Sequence, residues 1–270
     1  MRNKSSRSFA PILGMAIALA SASAARAAQP FLIDDGLIDK VGQLELDVLG
    51  TATWSSLGKT GVSPSGEVDY GLFEGLQLHM RLPLAFNRPS GQPTQWGVGD
   101  FEIGAKFRID GHPEDDNAIA VALEPMVDFP TGDANRGLGT GSTHAFLPIF
   151  ASKQFESGIK PFAGGGYWIN PGTGNKNYWF FGAGASGDVD IGDLSFTLGG
   201  EVFHSTPSVV GGKASTGFDV SGLYNFNDDH HLLFTIGRGL QNATQTNKFS
   251  LLIGYQGFFG GPEEKNEKKE

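Results

Sequence analysis

The chain contains no cysteine, which removes disulfides, thiolate metal sites and cysteine nucleophiles at once. Any chemistry has to use histidine, serine or carboxylates. Basic residues are also scarce, 20 against 29 acidic, for a net charge of −9. With no cluster of Lys and Arg to meet phosphates, a nucleic-acid partner is not expected. Beyond Ala28 no window approaches 18 consecutive apolar residues, so a helical membrane span is excluded by length. Helical periodicity is hard to find as well, and alternation of apolar and polar residues takes its place.

What is present starts with an export signature. Arg2, Lys4 and Arg7 precede an apolar run from Phe9 to Ala20, and Ala25-Arg26-Ala27 has the small-x-small form of a cleavage site. Residues 1–27 are therefore expected to be a removed signal peptide. Their loss takes away four basic residues and no acidic ones, leaving 16 basic against 29 acidic, a net charge of −13.

The segment Gly75 to Phe86 sets the pattern for the rest. Leu76, Leu78, Met80, Leu82, Leu84 and Phe86 fall on one parity, and Gln77, His79 and Arg81 on the other. An extended strand sends these two sets to opposite faces. Phe101, Ile103, Phe107 and Ile109 alternate in the same way with Asp100, Glu102, Lys106 and Arg108. Ile119, Val121, Leu123, Val127 and Phe129 alternate with Glu124 and Asp128, and Leu194, Phe196, Leu198 and Val202 with Ser195, Thr197 and Glu201. Segments 143–155 and 159–169 are less clear.

Twelve strands are expected: 41–54, 66–72, 75–86, 96–109, 117–129, 143–155, 159–169, 177–189, 194–204, 214–226, 231–240 and 247–259. Most match the ~9 to 11 residues that cross a bilayer at a tilt. Their connections alternate between tight polar turns (73–75, 110–116, 156–158, 190–193, 227–230) and mostly longer loops (55–65, 87–95, 130–142, 170–176, 205–213, 241–246). Unequal connections and an even strand number point to an all-β, up-and-down antiparallel transmembrane β-barrel of about 12 strands. The domain reading is then a signal peptide over 1–27, a periplasmic N-terminal segment over 28–40, the outer-membrane barrel over 41–260 and a charged, solvated tail over 261–270. Trp54, Trp96, Trp168, Phe129, Phe226 and Phe259 lie near strand ends, where aromatic girdles meet headgroups. The forty glycines suit the bends of a closed barrel. A secreted β-sandwich would produce the same alternation, with the apolar parity against a second sheet.

Several motifs carry little. Gly182-x-Gly184-x-x-Gly187 lies within a strand pattern, and no helix follows to receive a pyrophosphate. Gly212-Lys213 lacks the first glycine and the hydroxyl residue of a phosphate loop. Asp188, Asp190 and Asp193 fit a polar hairpin turn better than a calcium loop. Ser142 and His144 share one face of a strand and offer the strongest hydrolase reading, although Ser142 also simply closes the turn GLGTGS. His230 and His231 point to opposite faces of a strand and cannot share a metal.

Three stretches, QPFLIDDGLIDKVGQLELDV at 29–48, WGVGDFEIGAKFRI at 96–109 and PTGDANRGLGTGSTHAFLPIFASKQF at 130–155 followed by PFAGGGYW, resemble the outer-membrane proteins of phenol meta-cleavage pathways, often described as transporters. The resemblance implies an outer-membrane barrel in a Gram-negative bacterium that admits small hydrophobic or aromatic compounds, and it brings no catalytic residue; no metal or cofactor is expected. The expected partners are outer-membrane lipid and a small apolar or aromatic solute. Expected lumen or constriction residues are Glu45, Asp47, Arg81, Asp100, Glu102, Lys106, Arg108, Glu124, Asp128 and Glu201, with Arg81 in reach of Asp100 or Glu102. Pro130, Thr131, Gly132, Asp133, Gly139, Gly141 and Ser142 form the expected gating loop, and Phe31 to Asp39 an N-terminal plug. A structural barrel with a closed lumen is the alternative.

Overall fold

The computed structural model describes residues 30–110 and 119–261. The segment expected to be a signal peptide, most of the turn after Asp110 and nearly all of the C-terminal tail lie outside the described residues. Fourteen strand segments are present: β1 Gln43–Trp54, β2 Gly58–Phe73, β3 Leu76–Pro89, β4 Gln95–Val98, β5 Phe101–Asp110, β6 Ala120–Leu123, β7 Met126–Phe129, β8 His144–Ser152, β9 Ile159–Ile169, β10 Tyr178–Ile191, β11 Leu194–Ser205, β12 Ser215–Asn225, β13 His230–Gln241 and β14 Phe249–Gly260. β4 and β5 are two pieces of one strand, both paired to β3, and β6 and β7 are two pieces of the next. The second interruption falls at Glu124-Pro125, where proline has no N–H for the ladder. Every neighbouring pair is antiparallel, and β1 pairs with β14 from Gln43↔Gly260 to Trp54↔Phe249, so the sheet closes on itself. The result is a closed twelve-strand antiparallel barrel.

The expected strands are found with small changes of boundary. The largest change is in β2, which begins at Gly58, so that most of the loop expected at 55–65 is a hairpin with a bulge at 63–64.

Burial is inverted relative to a water-soluble protein. Leu78, Met80, Leu82, Ile103 and Phe107 are exposed, while Asp47, Glu67, His79, Glu102 and Lys106 are buried. In a β-sandwich the apolar parity would be covered by a second sheet. Here the single sheet closes around its polar parity, and its apolar face is left for hydrocarbon.

Sector β8 to β10 explains its own ambiguity. In β8 the inward residues are His144, Phe146, Pro148, Phe150 and Ser152, so the lumen side is itself largely apolar. Phe146, Phe150, Phe162, Trp168, Tyr178 and Phe180 form one buried cluster with Phe31 and Ile33. Trp168 therefore belongs to the lumen and not to the outer girdle expected for it: it is 3% exposed, stacked between Phe146 at 4.6 Å and Tyr178 at 5.8 Å.

Candidate functional site: a plugged lumen with two unlike walls

Strand register brings the inward polar residues into rows. Asp47 lies opposite Glu67, Glu67 opposite Arg81, Arg81 opposite Glu102, Glu102 opposite Asp128, and Asp128 opposite His144. Alternation alone guarantees that the members of such a row share a face. Within it Arg81 donates to Glu102 at 3.1 Å. A second row holds Glu45, Asp69 and His79, with His79 Nδ1 2.7 Å from Asp69 and Nε2 3.2 Å from Glu102. Gln256 donates to Glu45 across the β1–β14 closure.

The N-terminal segment, residues 30–42, lies inside this barrel and bridges both walls. Lys106 of β5 donates to Asp34 and Lys160, at the turn end of β9, to Asp35, each at 2.7 Å, and Asp39 N donates to Gln77 at 2.8 Å. Glu201 accepts from the backbone N–H groups of Leu32 at 2.6 Å and Ile33 at 2.9 Å, and Thr235 donates to the Pro30 carbonyl at 2.7 Å. On the apolar side Phe31 packs 4.9 Å from the ring of Phe162. Two wall glycines make the fit possible: a Cβ at Gly182 would stand 2.9 Å from Ile33, and one at Gly199 would stand 2.8 Å from the Phe31 ring. Gly182, the first glycine of the dinucleotide-like motif, thus has a packing role.

The segment's carboxyls respond to this setting in opposite ways. Burial pushes Asp35 up, but Lys160 and Lys106 outweigh it and hold its carboxyl at about 2. Burial, with the Asp69 carboxyl beside it, pushes Asp39 up to about 7.

Of the residues expected to line the lumen, Asp47, Glu102, Lys106, Glu124, Asp128 and Glu201 are buried inside it, and Glu45 and Arg81 face it less completely. Asp100 does something else. It accepts from Gly132 N, Thr140 N and Thr140 Oγ1 at 2.6 to 2.9 Å, tying a loop rather than pairing with Arg81. Arg108 is partly exposed at the turn end, opposite Ala122. Sequence reasoning passed over Glu67, Asp69 and Gln256, although each alternates with apolar neighbours and was legible on that ground. Lys160 and the aromatic wall sit in the strands with two apolar faces.

The loop expected to gate, from Pro130 to Ser142, is fastened to the barrel edge. Thr131 Oγ1 donates to Gly99 O and accepts from Phe101 N, Asp133 caps a short 3₁₀ turn at Ala134–Arg136, and Arg136 donates to Gln95 and to Trp96 O. Gly137 and Gly141 take the left-handed conformation that its tight turns need, and Leu138 is buried beside Gly97. The described segment that fills the lumen is the N-terminal one. Ser142 Oγ lies 3.0 Å from His144 Nε2 and 2.8 Å from Pro171 O. The carbonyl can only accept, so the hydroxyl proton goes there and Nε2 is left to donate. That polarity joins two loops and is the reverse of what a general base requires.

Between the plug and the turn end lies a cavity of about 920 Å³. Eleven of its lining residues are carboxylic, including Glu45, Glu67, Asp69 and Glu124, against Lys106 and Lys160.

No family model and no curated protein matches the chain by sequence. By structure it is similar to an outer-membrane channel of Pseudomonas putida F1, with 18% identity and a TM-score of 0.59 over 83% of this chain and 98% of that one. The NanC porin matches at 13% identity and 0.53 over 78% and 98%, and the KdgM porin at 8% and 0.54 over 80% and 99%. The chain has the β-barrel fold of outer-membrane channels and porins.

Proposed function

We propose that the protein is an outer-membrane channel of a Gram-negative bacterium that takes up small aromatic or hydrophobic compounds, with residues 30–42 as its gate. The observation that carries this reading is the seating of the plug. It is held by hydrogen bonds, ion pairs and ring contacts, all reversible, against a wall of aromatic side chains inside a polar barrel. Aromatic faces inside a lumen offer a planar solute the contacts that Phe31 now makes with Phe162. The carboxylic cavity on the turn side disfavours anionic solutes and favours neutral or cationic ones. A solved structure of the KdgM porin is in complex with disordered oligogalacturonate, an acidic saccharide. This chain's cavity has the opposite preference.

Flux into proteoliposomes tests the reading. A neutral phenol and an aromatic amine should enter faster than an aromatic carboxylate of the same size, and faster again when Lys160→Ala loosens the plug. Flux equal to that of empty vesicles for all three, with the plug loosened, would leave a closed structural barrel instead.

A further inference from the structure

The two ends of the barrel carry opposite charge. At the loop end the connections 55–57, 90–94, 130–143, 170–177, 206–214 and 242–248 contain Arg136, Lys176, Lys213 and Lys248, and Asp133 is their single acidic residue. The turn end is acidic, with Glu74, Asp110, Glu156, Asp193, Asp228 and Asp229 among the described residues. For a chain with net charge −9, a basic loop end is a separation of charge and not a reflection of composition.

Three further cations, Lys59, Arg88 and Arg238, stand on the lipid-facing parity of the last rungs at the loop end. Lys59 is paired with Trp54 on one side and with Arg88 on the other. Its ammonium lies 4.6 Å from the Trp54 ring and 5.3 Å from the Phe86 ring. Trp54 packs against Phe249 at 5.3 Å, Phe86 against Trp96 at 5.0 Å, and Arg238 is opposite Phe218. Cations and aromatic rings thus interleave on the outer face from β12 and β13 through β14, β1, β2 and β3 to β4. At the turn end the lipid-facing parity carries Phe73, Ile109, Phe155, Ile159, Ile191 and Phe226, with Lys153 5.3 Å from the Phe155 ring.

An aromatic belt positions a barrel at the headgroup level. Guanidinium and ammonium groups held in such a belt meet phosphate at that depth, where low dielectric strengthens the contact. We propose that the belt of Lys59, Arg88 and Arg238 binds the phosphates of the glycolipid that forms the outer leaflet of a bacterial outer membrane. The loops then face outward and the acidic cavity faces the periplasm. The proposal rests on the outer-membrane reading above.

The test uses the mature chain purified in mild detergent, with bisphosphorylated lipid A and its dephosphorylated form as probes, read by native mass spectrometry. The wild type should retain at least about ten times more of the phosphorylated lipid, a ratio that higher salt reduces. K59E/R88E/R238E should abolish the preference while keeping the heat-dependent gel shift of a closed barrel. Should that variant fail to fold, Arg88→Gln, at an exposed position, should still lower retention severalfold. Equal retention of the two lipids by the wild type, or unchanged retention in a folded variant, overturns the proposal. Fractionation of the wild-type chain away from outer membranes overturns the reading of location, and the detergent assay distinguishes the two failures.

Discussion

The lumen's two walls hold the same segment by different physics. The wall of β1 to β7 works with charge: Lys106 takes Asp34, Gln77 takes the Asp39 backbone, and a registered row of carboxylates surrounds Arg81 and His79. The wall of β8 to β10 works mainly by packing, with Phe31 and Ile33 set among Phe146, Phe150, Phe162 and Phe180. Charge contacts are directional and depend on protonation. Ring contacts are adaptable and indifferent to it. If the segment is the proposed gate, a solute that competes for the rings would loosen it while the ion pairs keep it in register.

The sharpest way to break this contrast is Lys106→Ala, which leaves Asp34 and Glu124 buried without their shared cation. Removing one partner of a buried pair costs about 3 to 5 kcal/mol. Hydrogen exchange over residues 30–42 should accelerate strongly in this variant, and unchanged protection would mean that the charged wall is decorative. Phe31→Ala tests the opposite wall. A buried Phe→Ala change costs about 3 kcal/mol or somewhat more, and it should raise flux of a neutral aromatic without altering the preference against anions. Glu201→Gln keeps the shape but only one of the two acceptor contacts, because Leu32 N and Ile33 N donate to different carboxylate oxygens and the amide nitrogen cannot accept. A loss of about 1 to 3 kcal/mol is expected, seen as faster exchange at one of those two amides.

A further effect is expected with pH. Burial above all, and then the Asp69 carboxyl, push the docked Asp39 carboxyl up to about 7 from its ordinary value of 3.8, with Lys106 opposing. A raised value means that docking is favoured below about pH 4 and that this contribution is lost as pH rises through about 7. Protection of the segment should therefore decline between pH 5 and 8, and Asp39→Asn should flatten the decline. The Asp35 contact with Lys160, with Asp35 held at about 2, should not change in that window.

The strands of the charged wall are easy to read because apolar and polar residues alternate along each of them. Arg81 or Lys106 turned to lipid would cost about 2 to 4 kcal/mol, so their register was never ambiguous. β8 and β9 hid their register because Phe146, Phe150, Phe162 and Trp168 face the lumen while Leu147 and Ile149 face lipid. No periodicity separates two apolar faces. Asp100 looked like a lumen charge by parity, but it falls at the break between β4 and β5, where its carboxylate turns to the loop. The attachment of the 130–142 loop depends on backbone acceptors such as Gly99 O and Trp96 O, which no side-chain pattern announces.

The closure between β1 and β14 fixes an order of events. Gln43 meets Gly260 across nearly the whole described chain, and the plug's contacts with Glu201 and Thr235 span 168 to 205 residues. Contacts of such separation form late, because the loop entropy must be overcome before they stabilise anything. The plug joins β1 directly at 40–43, beside the closing seam. It therefore has to be in place when the last strand arrives, or else thread afterwards into a ring that is already closed.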